Sequence, residues 1–94
     1  STNTFRNISP VVAFATINGG ILASADSHNL TLFNSNLQAQ FTFSTALPSA
    51  NYTVVLGDYG GGSASPGTKT TTGFNINFQS TAAGQNYSVM VLQL

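Results

Sequence analysis

The sequence predicts an all-β domain, a small antiparallel β-sandwich of about seven strands. β-branched and aromatic residues fill short runs, and Gly, Asn, Ser and Thr interrupt every window long enough for a helical period. Residues 37–44, "LQAQFTFS", and 69–78, "KTTTGFNINF", carry apolar side chains at alternate positions, the signature of a strand with one buried face. Turn-forming residues separate these runs at short intervals.

The elements follow in order. Residues 11–17, "VVAFATI", form the first strand, and "NGG" at 18–20 is a hairpin turn, because a type I′ turn needs positive φ at both central positions. "ILASA" at 21–25 returns as the partner, and "NLTLF" at 29–33 is a third strand. In 37–44, Leu37, Ala39, Phe41 and Phe43 face the core, and Gln38, Gln40, Thr42 and Ser44 face out. Pro48 ends that strand, since it cannot donate to a ladder and restricts Leu47 before it. Tyr52, Val54 and Leu56 share one face of 51–57. The stretch 58–67, "DYGGGSASPG", reads as a loop. Phe74, Ile76 and Phe78 point inward from 69–78, with Asn75 and Asn77 outward, and 86–94, "NYSVMVLQL", closes the chain.

Two strands break the one-sided pattern. Val11, Ala13, Ala15 and Ile17 oppose Val12 and Phe14; Tyr87, Val89 and Val91 oppose Met90, Leu92 and Leu94. Strands apolar on both faces are expected to be covered on both. A two-layer sandwich covers one, so a copy of the chain is expected over the other, the alternative being that a loop or the N-terminal arm 1–10 folds over it.

Composition narrows the function. The 94 residues are 41% hydrophobic but only 4% charged, against about 25% in an ordinary soluble domain. Arg6, Lys69, Asp26 and Asp58 are the whole charged set, with one histidine, His28. Two cations cannot neutralise a run of phosphates, so a nucleic-acid partner is not expected. No polybasic patch and no run of about 18 apolar residues exists, so neither membrane binding nor helical insertion is expected. The chain opens on Ser without a leader pattern, and is read as a piece of a longer protein. Cysteine is absent. With disulfides absent and metal ligands scarce, oligomerisation is the remaining support for a small core.

The segment "FTFSTALPSANYTVVL", the "TTTGF" strand opening and the closing "YSVMVLQL" resemble the small β-sandwich domain at the distal C-terminal, receptor-binding end of bacteriophage tail fibre proteins. The resemblance covers 11–94 and leaves 1–10 as a connector from a preceding fibre region. It implies a homotrimer on the outside of the virion, attached to a bacterial surface receptor, a polysaccharide or other outer-surface glycan, through exposed loops. It implies no catalysis and no cofactor. Leu47-Pro48 and Asn51-Tyr52 match as a structural corner. The single histidine does not supply the His-x-His metal motif of some fibre tips.

Ser24 or Ser27, Asp26 and His28 lie within one short segment, but adjacency is not triad geometry, and a polar turn is the plainer reading. Asp26 and Asp58 are the only carboxylate pair for glycoside hydrolysis. "GDYGGGSASPG" lacks the spacing of a phosphate loop. No catalytic or metal residue is therefore assigned. Asn7, Asn29, Asn51 and Asn86 open Asn-x-Ser/Thr sequences, which a chain this rich in those residues produces by chance. The expected receptor-binding loop comprises Asp58, Tyr59, Gly60, Gly61, Ser63, Ser65 and Thr68, because tyrosine, serine and glycine supply ring faces and adaptable hydrogen bonds in binding loops. On that reading Tyr59→Ala weakens attachment without unfolding the domain. The alternatives are a virion structural or decoration module that touches other viral proteins, and a carbohydrate-active enzyme domain.

Overall fold

The computed structural model of the chain describes residues 10–60 and 62–94. Of the connector, only Pro10 falls within that range, and Gly61 of the expected loop lies outside it. Among the described residues, eight strands form two four-stranded antiparallel sheets. They are β1 (Val11–Asn18), β2 (Ile21–Leu22), β3 (Leu30–Ser35), β4 (Gln38–Phe43), β5 (Tyr52–Gly57), β6 (Ala64–Thr70), β7 (Gly73–Phe78) and β8 (Tyr87–Gln93). The first sheet runs β2-β1-β8-β5 and the second β3-β4-β7-β6. Each contributes alternate residues to one core. Ala13, Ala15, Ile17, Tyr52, Tyr87, Val89 and Val91 come from the first; Leu30, Ala39, Phe41, Phe43, Phe74, Ile76 and Phe78 from the second. Aromatic rings bridge the layers: Phe43 meets Tyr52 edge-on at 5.5 Å, and Phe78 lies 5.1 Å from Tyr87. Such pairs contribute roughly 0.5–1.5 kcal/mol beyond their buried area.

Leu37, expected to face the core, lies in the turn before β4 and is 43% exposed; the sandwich is otherwise the expected one, with four local differences. The strand expected over 69–78 is a hairpin, β6 and β7, turning at Thr71-Thr72. Residues 64–67, four of the ten in the expected loop, are therefore edge strand. Pro66 is tolerated there because an edge strand need not donate outward, and the register shift between Pro66 and Lys69 twists the edge. Gly73 permits the close β7–β4 pairing, since a Cβ there would collide with the carbonyl oxygen of Phe41. Second, the return strand after the first turn is only Ile21–Leu22, and Ser24–Asp26 form a 3-10 turn. Third, Asn18 pairs with Ile21, so the positive-φ positions are Gly19 and Gly20 rather than Asn18 and Gly19. Fourth, a bulge between Val11 and Ala13 turns Val11 outward beside Leu92.

The strands give the molecule two distinct ends. Gln93 N donates to the carbonyl of Pro10, and Tyr52 pairs with Gln93, so the described chain begins beside the last residues of β8 and the start of β5. The turns at 18–20, 35–38 and 79–86 and residues 58–60 and 62–63 gather at the other end. There Gly19 N donates to Asn86 Oδ1 at 2.7 Å and Gly57 pairs with Ser88. With 3.2–3.4 Å per residue, the eight residues of β1 separate the ends by roughly 26 Å.

Candidate recognition surfaces

Two sheet faces and one loop are open to the outside, and they differ in chemistry. On the outer face of the first sheet, residues from three strands stand in register. Phe14 pairs with Met90 and Met90 with Val55; Val11 pairs with Leu92 and Leu92 with Thr53. Phe14, Met90 and Val55 are 42%, 38% and 39% exposed. β1 and β8, expected to be apolar on both faces, are thus the two inner strands of this sheet, and Phe14 and Met90 of their outer row stay substantially exposed among the described residues. His28 lies at the border, stacked on Phe14 at 5.8 Å and bridged to it by backbone hydrogen bonds.

The outer face of the second sheet is polar and uncharged. One row reads Thr31, Thr42, Gly73, Thr70 across β3, β4, β7 and β6. The next reads Phe33, Gln40, Asn75, and a third Ser35, Gln38, Asn77, Ser65. Lys69 lies on β6 but turns away, its Nζ donating to the Tyr52 carbonyl of the opposite sheet at 2.8 Å. A shallow depression of about 230 Å³ opens between β4 and β6, lined by Gln40, Thr42, Thr68, Thr70, Thr72 and Asn75 around the bare backbone of Gly73.

The expected binding loop divides between these settings. Asp58 is exposed at a φ of 58°, a conformation that aspartate tolerates better than most residues. Its role in the backbone turn is therefore independent of any ligand. Tyr59 is turned inward. Its ring packs edge-on against Phe78 at 5.2 Å and against Tyr87 at 6.4 Å, and its hydroxyl is buried with no described partner. The expectation of an open ring is corrected accordingly: in this long polar loop the ring gains more by covering the end of the core than by facing water. Gly60 is exposed with open space around its Cα, and Ser63 is exposed, its backbone pinned to Gln79. Ser65 and Thr68 belong to β6 and adjoin the polar face of the second sheet. The corner residues divide too: Leu47 and Tyr52 are buried, and Pro48 and Asn51 are exposed.

The candidate triad does not assemble. Ser27 Oγ donates to the Ala23 carbonyl at 2.7 Å and accepts from Thr16 N at 3.4 Å, Asp26 is exposed on the 3-10 turn, and His28 stacks on Phe14. Among the described residues no group of three His, Cys, Asp or Glu side chains converges. Asn29 sits at a φ of 61° with its amide bonded to Thr45 at both ends, and Asn86 holds the first turn. Both amides of these Asn-x-Ser/Thr sequences are thus engaged in the fold.

Sequence reasoning found the outward Gln38, Gln40, Thr42, Asn75 and Asn77 but did not join them into one surface, and it passed over Phe33. Alternation alone could have brought Phe33 out, since Leu30 and Leu32 face the core. No protein-family model, curated protein or solved structure matches this chain.

Proposed function

We propose that this domain is the distal attachment tip of a bacteriophage tail fibre. It would act as a homotrimer on the outside of the virion that binds a bacterial surface glycan without catalysing a reaction. The observation that carries this reading is the opposed character of the two outer faces. One bears an in-register apolar row, Phe14–Met90–Val55, and the other bears only uncharged polar groups and one ring. An apolar row on inner strands suits contact with copies of the same chain; a polar uncharged face suits contact with a hydrated ligand. The chain's ends support the same reading. Pro10 and the 58–63 segment lie at opposite ends, so a chain hung from residues 1–10 presents that segment outermost. Trimerisation would also offset the small core of a cysteine-free domain. Attachment would then be multivalent: weak contacts repeated around the threefold axis and across several fibres, raising avidity well above single-site affinity.

The test is binding of fluorescently tagged residues 1–94 to a panel of bacterial strains. Saturable binding to a subset of strains, without release of reducing ends from their polysaccharide, is the expected result. Binding to no strain, with capture of other virion proteins instead, would make the domain a structural or decoration module. Release of reducing ends would make it an enzyme.

A further inference from the structure

We propose that the outer face of the second sheet is the glycan site, centred on the row Phe33–Gln40–Asn75 and selective for a neutral polysaccharide. The proposal rests on the attachment reading and moves the contact surface from the loop tip to the flank of the sandwich.

The row is in register across three adjacent strands: Phe33 pairs with Gln40 and Gln40 with Asn75. At 4.7–4.9 Å per strand spacing it extends roughly 10 Å, the reach of a short run of sugar rings. Phe33 is 66% exposed. Its ring stands alone among polar atoms, which suits the C–H face of a sugar better than the broad apolar core of a protein interface. The amides have bonding capacity to spare. Gln40 Nε2 donates to Gln38 Oε1 at 3.2 Å, leaving Gln40 Oε1 open, and the side chains of Asn75 and Asn77 bond to no other described residue. An amide donates and accepts, so it can bracket two neighbouring sugar hydroxyls, each of which also does both.

Charge decides the class. No described residue in the three rows is ionisable, and the one cation of β6, Lys69, bonds to the opposite sheet. A uronate, sulfate or phosphate group would be desolvated here with no cation to receive it, whereas a neutral sugar exchanges water bonds for amide bonds at little net cost.

Gly67 adds a second observation. A Cβ there would lie 2.8 Å from Asn77 Nδ2 and 3.3 Å from Asn75 Nδ2. The bare backbone of β6 thus leaves the two amides room beside the row. Its φ is not in the left-handed region, so Gly67→Ala displaces flexible amide ends and leaves the backbone unstrained.

The experiment applies residues 1–94 to a printed panel of neutral and uronate-containing bacterial polysaccharides. It follows the side-chain amide resonances of Gln40, Asn75 and Asn77 by NMR with any polysaccharide that binds. The expected result is binding to neutral members only, insensitive to salt, with those resonances shifted. Phe33→Ser and Asn75→Ala should each lower affinity at least tenfold with unchanged thermal midpoints, and Gly67→Ala should lower it in the same direction. Binding confined to acidic members overturns the proposal. So does neutral binding that all three variants retain; in that case attachment stands and the site lies elsewhere, with the 58–63 segment next to be tested. If Phe33→Ser dissociates the assembly, the face is a contact between copies and the proposal fails. If wild type binds neither the panel nor any cell, attachment fails with it.

Discussion

Lys69 and Tyr52 hold each other across the two sheets. Lys69 Nζ donates to the Tyr52 carbonyl at 2.8 Å and lies 5.6 Å from the centre of its ring, while the Tyr52 hydroxyl is 2.8 Å from the carbonyls of both Thr70 and Gly73. One hydroxyl proton serves the two carbonyls that flank the β6–β7 turn. The contact ties the start of β5 to a hairpin of the other sheet, and it keeps the charge of Lys69 off the polar face. Tyr52→Phe removes the hydroxyl and leaves the ring, and is expected to cost about 1–2 kcal/mol because carbonyls in a partly buried corner lose their donor. For a domain of this size that corresponds to a lowering of the thermal midpoint by roughly 4–8 °C per kcal/mol. Lys69→Met should cost less, since it removes one donor to the Tyr52 carbonyl and leaves the tyrosine hydroxyl and its two carbonyls in place.

Alkaline pH should unfold the domain through its tyrosines. Burial raises the phenols of both Tyr87 and Tyr52 above the ordinary value of 10.0. Above pH 10 the unfolded chain sheds phenolic protons that the folded chain keeps. The unfolded state then binds fewer protons, so stability falls as pH rises; below pH 10 the contribution is fully present. Thermal midpoints measured across this range should fall above pH 10, with tyrosinate absorbance from the buried rings appearing together with loss of structure. Tyrosinate formation by Tyr52 and Tyr87 in a still-folded chain would show that these two rings are accessible.

Tyr59→Ala now separates packing from recognition. The ring rests on Phe78 and Tyr87, so its loss should cost about 2 kcal/mol, below the 3–5 kcal/mol of a fully buried aromatic because Tyr59 is only half-buried. Denaturant unfolding reads this directly. A variant as stable as wild type would mean that the ring contributes little to the core.

Two glycines give a matched pair. Gly73→Ala brings a Cβ against the Phe41 carbonyl at the end of the β4–β7 ladder and should cost more than about 2 kcal/mol, because backbone on both strands must shift. Gly60→Ala meets no atom within 4 Å and needs no left-handed backbone, so it should change stability by no more than about 0.5 kcal/mol. Equilibrium unfolding of the two, side by side, checks both.

The architecture was legible where one face of a strand is buried. Ala39, Phe41 and Phe43, and Phe74, Ile76 and Phe78, all face the core as alternation requires. Alternation gives faces but neither strand ends nor partners. Thr71 and Thr72 carry no strong turn signal, so the β6–β7 hairpin was read as one strand. Pro66 and the glycines of 60–67 argued for loop over a segment that is half edge strand, because an edge tolerates what an inner strand does not. Tyr59 was misjudged for a related reason: its composition is that of a binding loop, and only the position of Phe78 and Tyr87 turns the ring inward. The polar face was visible residue by residue but not as a surface, since it depends on the cross-strand register of β3, β4 and β7. The apolar row is the opposite case. Phe14 and Met90 lie on the two strands apolar on both faces, Val55 joins them from β5, and it is their adjacency that makes them one surface.

That row carries the proposed assembly. Met90→Glu sets a carboxylate between Phe14 and Val55, at the centre of the row. It should leave the fold intact, because Met90 points away from the core, and should abolish association between copies, because a buried unpaired carboxylate is costly.

The most direct measurement is the molar mass of residues 1–94 in solution, by light scattering on a sizing column, beside the same measurement on Met90→Glu. Three times the 9.7 kDa chain mass for wild type, falling to a single chain mass for a folded Met90→Glu, is the expected result. A wild-type chain that stays monomeric at high concentration would contradict it, and the Phe14–Met90–Val55 row would then not be an interface between copies.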